Sequence, residues 1–548
     1  MRGSILFILS LDFTNGMQYI WLCFFVLLFL SCNEKKEEPV KKPVDPVQPP
    51  VSTVSDKELL DKVQEATFRY FWDFAHPVSG MARERSSSGD VVTSGGTGFG
   101  VQAIVVGVSR GWITRQEAVE RLNKLCDFLS KAERFHGAWP HWLNGSTGAV
   151  IPFSAKDNGG DLVETSYLIN GLLTARAYFN GADARETELR DKITQLWETV
   201  EWSWYASRGD GLLYWHWSRS FGWEMNMPIR GWNEALITYI LALGSPTHPI
   251  TPEVYQRTWV NRNEGTYEGY RLSMGPGYGG PLFFAHYSFL SLDPKQMEDQ
   301  YTHYWMHNLK HTLINRAWSI YSATKSYGYS TGNWGLTASD DPEGYKAHQP
   351  TNDNGTIAPT AALSSFPYTP YYSMQALRHF ESMGAQLWGT YGFKDAFNKS
   401  RNWVAKDYLA IDQGPIVAMI ENYRSGLLWS LFTDLPEVQA GLAKAGIRKP
   451  VYDTGFPLAI PDVRTSTVDL LKHPDKGAYQ VEVAVKNADP FVLTLEKPDG
   501  SIAETIWNNE TKTNGLHQVN FGASLQPGAY KLRLKGGTID KELSVYLH

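Results

Sequence analysis

From residue 55 onward the chain repeats one pattern, apolar positions three and four apart with polar residues between them. In "SDKELLDKVQEATFRYFWDF", residues 55–74, Leu60, Val63, Tyr70, Phe71 and Phe74 keep this spacing behind a Ser55/Glu58 pair. The pair has the register of a capping box, and the stretch predicts an amphipathic helix. The same signature returns over 114–132, 161–179, 186–205, 233–244, 297–322, 369–384 and 415–432. Long Gly- and Trp-rich loops separate these segments and show no steady alternation of strand type. A parallel-sheet enzyme would need a short β-branched strand before most helices, and none is visible. Helices arriving in pairs over about four hundred residues predict an all-α toroid, a closed ring of helical hairpins spanning 56–460 with its loops at one mouth. Near residue 461 the period becomes two. "AYQVEVAVKN" alternates Tyr479, Val481, Val483 and Val485, and "FVLTLEKPDG" and "GAYKLRLKGG" do likewise. A small all-β sandwich is expected over 461–548, with a structural or spacing role.

The N-terminal segment follows a different logic. "YIWLCFFVLLFLSC", residues 19–32, has the length of a signal-peptide core and is short for a membrane span. Its end resembles a bacterial lipobox. That resemblance implies a signal peptide over 1–32, lipidation at Cys32 and a lipid anchor at the outer membrane, on the cell surface or the periplasmic side. Pro- and Lys-rich residues 33–55 then read as an extended tether. Of three cysteines, Cys23 and Cys32 lie in this segment, so Cys126 stands alone in the folded body and no disulfide framework exists. Cys126 shares a helix face with Val119, Leu122 and Leu129 and is expected to be a small buried hydrophobe.

Composition narrows the function. A net charge of −6 and a pI near 6.2 supply no basic field for nucleic acid. Aromatic residues are abundant, with 20 Trp, 28 Tyr and 25 Phe. Their flat faces suit either a Trp-rich interior or stacking on sugar rings.

"DNGGDLVETSYL", residues 157–168, sets Asp157, Asp161 and Glu164 where two glycines give way to an apolar run. Asp161 and Glu164 have capping-box spacing, so helix initiation accounts for both. Asp157 exceeds what a cap requires, and Gly159-Gly160 are expected to fold it back beside the other two. A second acid, Glu234 in "RGWNEALITYI", is expected to open another apolar helix, with Trp215, Trp217, Trp223 and Trp232 in the surrounding loops. Two carboxyl groups on one cavity, one protonated and one ionised, are what glycoside hydrolysis requires. Asp161, Glu164 and Glu234 are therefore the catalytic candidates, with acid and base roles unassigned among them. Asp157, Trp215, Trp217, Arg230, Trp232, Tyr278, His286, Asp353 and Glu421 are candidate substrate contacts. Simpler accounts stand beside several of these: a core histidine for His286, a turn for Asp353, and a salt bridge to Arg424 for Glu421. Calcium would accept the 157–164 carboxylates, but the loop lacks an EF-hand pattern, and no metal site is expected.

Five stretches, "DNGGDLVETSYLINGLLTAR", "GWNEALITYILALGSPTHPI", "GPGYGGPLFFAHYSFL", "DNGTIAPTAALSSFPYTP" and "GPIVAMIENYRSGLLW", resemble in the same order the glycoamylase-like family, glycoside hydrolase family 144. The resemblance covers about residues 56–450. It implies an (α/α)6 toroid that hydrolyses β-1,2-linked glucan, internally or by releasing sophorose, with inversion and with no metal or other cofactor. The family's acidic cluster falls on Asp157, Asp161 and Glu164, and its second acidic position on Glu234. Where that pattern has an acidic residue after "TP", this chain has Tyr371 and Tyr372. A glucan-bound monomer, attached to the membrane only through its lipid, is the expected assembly. Two rival classes are an α/α-toroid polysaccharide lyase with Tyr278 or His286 as base, and a glycan-binding lipoprotein without turnover.

Overall fold

The computed structural model describes residues 54–259, 264–450, 467–472, 479–485, 489–512, 515–522, 524–536 and 539–547. The expected signal peptide, Cys32 and nearly all of the tether lie outside the described residues, as do positions 451–466, where the domain boundary is expected. Thirteen α-helices occur among the described residues: α1 (Asp56–Trp72), α2 (Ser94–Ser109), α3 (Arg115–Leu129), α4 (Leu162–Tyr178), α5 (Ala184–Glu198), α6 (Leu236–Gly244), α7 (Pro252–Thr258), α8 (Tyr304–Ala317), α9 (Pro359–Leu363), α10 (Pro370–Ser382), α11 (Ala410–Arg424), α12 (Leu427–Phe432) and α13 (Pro436–Ala445).

Capping and amphipathicity explain the outer helices. Ser55 and Glu58 complete a reciprocal capping box at α1, and Thr114 and Glu117 do the same at α3. Cys126 is buried on the inner face of α3, and burial pushes its thiol up to about 12. The inner helices obey another rule. α2, α4, α6, α9 and α11 are buried along almost their whole length, and α2, α4 and α11 accordingly carry little amphipathic contrast. That is why α2, "SGGTGFGVQAIVVGVS", escapes a search for period-3.6 contrast, although α1, α3, α4 and α11 all pack on it.

The inner helices pack side by side, α2 on α4, α4 on α6 and α11 on α2, while α1 covers both α2 and α11. The first helix thereby meets one of the last, as an α/α toroid demands. Gln64 of α1 seals this seam by donating to the Val417 carbonyl and to Glu421 of α11, at 3.0 and 3.1 Å. Between α6 and α11 the wall is completed by two short 3₁₀ turns, Leu282–Ala285 and Tyr287–Leu290. The pattern expected over 297–322 is shorter as a helix, since α8 starts at Tyr304 and passes into a π turn at Trp318–Ser322.

Glycine sets the closest approach in this core. A Cβ on Gly98 of α2 would stand 2.1 Å from the Tyr167 carbonyl oxygen, and one on Gly171 of α4 would stand 2.1 Å from that of Gly98. The two backbones touch, and neither can retreat into a packed interior. Gly98→Ala or Gly171→Ala is expected to cost at least about 3 kcal/mol in a urea unfolding experiment, because the whole helix pair must separate.

After residue 466 the described residues form strands. One antiparallel sheet has the order Thr467–Lys472, Tyr479–Val485, Gly515–Phe521. The other runs Ile502–Lys512, Asp489–Glu496, Gly528–Gly536, Ile539–Leu547. Val483 and Phe521 of the first share a core with Phe491, Leu493, Leu495, Trp507, Leu532 and Leu534 of the second.

Candidate active site

The start of α4 resolves the double meaning of the acidic stretch. Asp161 is the N-cap, with extended backbone, and its Oδ1 accepts the Glu164 N–H at 2.9 Å. Glu164 does not complete the box. Its Oε2 instead accepts the Gly95 N–H at 2.8 Å and the Thr93 hydroxyl at 3.3 Å, both at the start of α2. A Cβ on Gly95 would lie 2.4 Å from that oxygen, so only glycine lets the carboxylate reach the helix N-terminus. Asp161 thus starts the helix, and Glu164 is spent elsewhere.

Gly159 and Gly160 act by close approach rather than by a left-handed turn. A Cβ on Gly159 would meet the Trp217 carbonyl at 2.1 Å, and one on Gly160 the Tyr205 hydroxyl at 2.2 Å. Gly160-Asp161 can therefore pair antiparallel with His216-Trp217. This pairing brings His216 Nε2 to 3.2 Å from Asp157 Oδ1. Burial holds His216 below its usual range, so it is a neutral neighbour. The Asp157 carboxyl is pushed up to about 7, first by burial and then by the negative charge of Asp161, with His141 opposing.

His141 enters the cluster from the loop after α3. Its Nδ1 lies 3.3 Å from Asp161 Oδ2 and its Nε2 4.0 Å from Glu164 Oε1. Burial is the largest influence and disfavours its cation, yet Glu164 and Asp161 together outweigh it and push His141 up to about 9. Burial raises Glu164 above the ordinary carboxylate range, and Asp161 adds to this, while His141, the Gly95 N–H and Thr93 pull the other way. Among the described residues no group of three His, Cys, Asp or Glu side chains is arranged to hold a metal ion.

Glu234 stands in the turn before α6, with Ala235 as the helix N-cap, so it precedes the helix it was expected to open. Its backbone is fixed from two sides, since its carbonyl accepts from the Ser288 and Tyr167 hydroxyls. Its carboxyl differs from that of Glu164, because no side-chain donor or cation among the described residues pairs with it. Burial pushes it up to about 7, and the charges of Glu164 and Asp161 contribute further.

Glu164 and Glu234 open onto one cavity of about 360 Å³. His141, Trp142, Phe153, Tyr167, Trp215, Phe283, Tyr287 and Tyr345 wall it, and Phe153 and Tyr345 are each about half exposed. Glu84 and Arg85 also line it, and the Arg85 guanidinium reaches Glu84 Oε2 and Asp340 Oδ1, each at 2.9 Å. Close to these lie two further acids. Asp395 accepts the Asp340 N–H at 2.6 Å and is pushed up to about 7 by burial, and Asp412 is raised still more by burial and by Asp395.

The structure gathers some of the expected residues and disperses others. Asp161, Glu164, Glu234 and Trp215 meet at or beside the cavity, with Asp157 in the same cluster. Trp217 instead packs edge-on against His136 and Trp204. Trp232 is core, set among Trp259, Phe289, Tyr304 and His307. Arg230 is exposed and lies outside the cavity lining. Tyr278, at φ 59°, packs on Tyr267 and Trp318. Asp353 is anchored by Trp318, Tyr329 and the Gly355 N–H, as a turn residue is. His286 is buried against Ser365, and burial pushes it down to about 3. Glu421 pairs with Arg110 at 2.7 Å, whereas Arg424 reaches Asp61. His141, Arg85, Tyr345, Asp395 and Asp412 carry no sequence signal of their own. They sit in loops or at a helix start, and the fold alone assembles them.

A ring of helices whose cavity presents an ionisable pair backed by donors, an unpaired acid and aromatic walls has the equipment of a carbohydrate hydrolase. Comparison with known proteins agrees. The Glycoamylase family model, described as a glucoamylase, matches residues 226–436. An exo β-1,2-glucooligosaccharide sophorohydrolase of Parabacteroides distasonis is 47% identical over 418 residues, which are 71% of this chain and 58% of that protein. This chain thus spans less than two thirds of that relative's length. The endo-β-1,2-glucanase of Chitinophaga pinensis, solved with sophorotriose and glucose, is 52% identical, covers 72% of this chain and 99% of its own, and superposes with a TM-score of 0.71. A β-1,2-glucanase structure from Parabacteroides distasonis is 47% identical over 72% of this chain and 60% of its own, with a TM-score of 0.70. The chain belongs to the glycoamylase-like family of glycoside hydrolases.

Proposed function

We propose that this chain hydrolyses β-1,2-linked glucan or its oligosaccharides, with Glu234 as general acid and the Asp161/Glu164 pair supplying the base. The contrast between the two acids on one cavity carries the assignment. Glu234 has no side-chain donor or cation among the described residues, only its own backbone N–H, which burial outweighs, and it keeps its proton near neutrality, whereas Glu164 is supplied with an N–H, a hydroxyl and a nearby imidazole that favour its anion. Glu234 gives its proton to the glycosidic oxygen as the bond from the anomeric carbon breaks. Water attacks that carbon from the other face and loses its proton to the carboxylate pair, which inverts the configuration. The aromatic walls exclude water and stack on the sugar rings. A lyase would need an accessible base in the cavity, whereas His286 is sealed in the core with its imidazole committed to Ser365, and Tyr278 packs on Tyr267 and Trp318 outside the cavity lining.

Purified protein should release reducing sugar from linear β-1,2-glucan and none from starch, and products of the opposite pattern would overturn the reading. The pH profile follows from the sign of the shift. Glu234 must be protonated, so kcat/KM is expected to fall as pH rises through about 7. A plateau extending well beyond that pH would remove Glu234 from the acid role.

The finer architecture belongs to the same reading. Half-buried helices preceding fully buried partners support six hairpins, with the 3₁₀ turns at 282–290 filling one inner position. The core shared by the two C-terminal sheets supports a β-sandwich module. The apolar run ending at Ser31-Cys32 supports attachment to the outer membrane through lipid on Cys32.

A further inference from the structure

We infer that His141 is a positioning residue, a cationic bridge between Asp161 and Glu164 that keeps the Glu164 carboxylate ionised and aimed into the cavity and thereby sets the acidic limit of the enzyme's pH range. The inference rests on the hydrolase reading above and names a part of its machinery that neither spacing nor motif reveals. Three independent features hold the ring in place. Its two nitrogens address different carboxylates, Asp161 at 3.3 Å and Glu164 at 4.0 Å. The Phe153 ring stacks on it at 4.3 Å between centroids. Its backbone is tied to the start of α2, where Ser94 donates its N–H to the His141 carbonyl at 3.1 Å and its hydroxyl to that of Pro140 at 2.6 Å. The element that supplies Glu164 with its donors therefore also fixes the imidazole.

The titratable groups that shift His141 upward are carboxyls. Asp161 and Glu164 come from the start of α4, Asp157 from the loop before it and Glu84 from the segment that bonds to Val91 just before α2. Arg85 is a neighbouring cation in the cavity lining, and it is committed to Glu84 and Asp340. Burial and the neighbouring Asp161 both favour a proton on Glu164, so without the cation Glu164 takes one up and ceases to be a base. The upward displacement of His141 to about 9 agrees with a ring that stays cationic throughout the working range.

His141→Gln keeps a hydrogen-bond donor and removes the charge. The acidic limb of the kcat/KM profile on β-1,2-glucan is expected to move up by about one pH unit or more, with kcat falling more than KM changes. A uniform loss at every pH, with both limbs in place, would mean that the ring is merely structural and would overturn the proposal. A second measurement needs no substrate and no variant. NMR titration of the wild-type ring should show the imidazolium at pH 7 and its loss near 9, and a neutral ring at pH 7 would also overturn it. If the wild-type protein leaves β-1,2-glucan untouched, the hydrolase reading fails by itself, and the titration still decides whether the bridge exists.

Discussion

Replacing Glu234 by Gln is expected to lower kcat on linear β-1,2-glucan about 10³-fold while the protein stays folded. Gln matches the carboxyl in size and breaks no ion pair, because Glu234 has none among the described residues. Stability should change in a particular sense. The folded carboxyl titrates near 7, above its unfolded value, so its contribution is complete in acid and is lost as pH rises through 7. Glu234→Gln removes that dependence, and the variant should be relatively more stable than the wild type at pH 8 than at pH 5. Urea unfolding at both pH values, with steady-state kinetics, measures each half. Full activity in the variant would dismiss Glu234 as the proton donor.

A pair of substitutions at Asp161 separates helix initiation from chemistry. Asn caps a helix about as well as Asp, so Asp161→Asn should keep the bond to the Glu164 N–H and leave stability within about 1 kcal/mol. It removes the charge that faces His141, and kcat is expected to fall by about 10² or more. Asp161→Ala loses the cap as well, which adds a destabilisation of about 1 kcal/mol to a similar kinetic loss. If Asp161→Asn were fully active and only Asp161→Ala impaired, the residue would be a helix start and nothing more.

How far such a site can be read from residues alone depends on where each residue type repeats. The outer helices announced themselves because one face meets water, and α1 and α3 even carry their capping boxes in plain view. α2 did not, since a helix buried on all sides has no polar face to alternate with. The acidic stretch and Glu234 were legible because carboxylates beside apolar runs are conspicuous. Trp232 and His286 looked equally eligible, and they are core, because residue type does not tell an indole that walls a cavity from one packed beneath it. His141 lay unread in "GAWPHWLN", where nothing in its neighbours marks it. Its role comes from a through-space meeting with α4, which only the folding of the loop after α3 creates. Glu421 shows the converse, since an i,i+3 arginine suggested its partner and a distant one, Arg110, takes the carboxylate.

The backbone contact between Gly98 and Gly171 bears on anyone wishing to make a heat-tolerant variant. Exchanging helical glycines for alanine is a standard route to a hardier protein, and here it is closed, because a methyl group would wedge apart the two helices whose beginnings cradle Glu164. Thermal improvement has to come from the solvent-facing layer, where the exposed positions of α3 and α5 can be altered without disturbing the cavity.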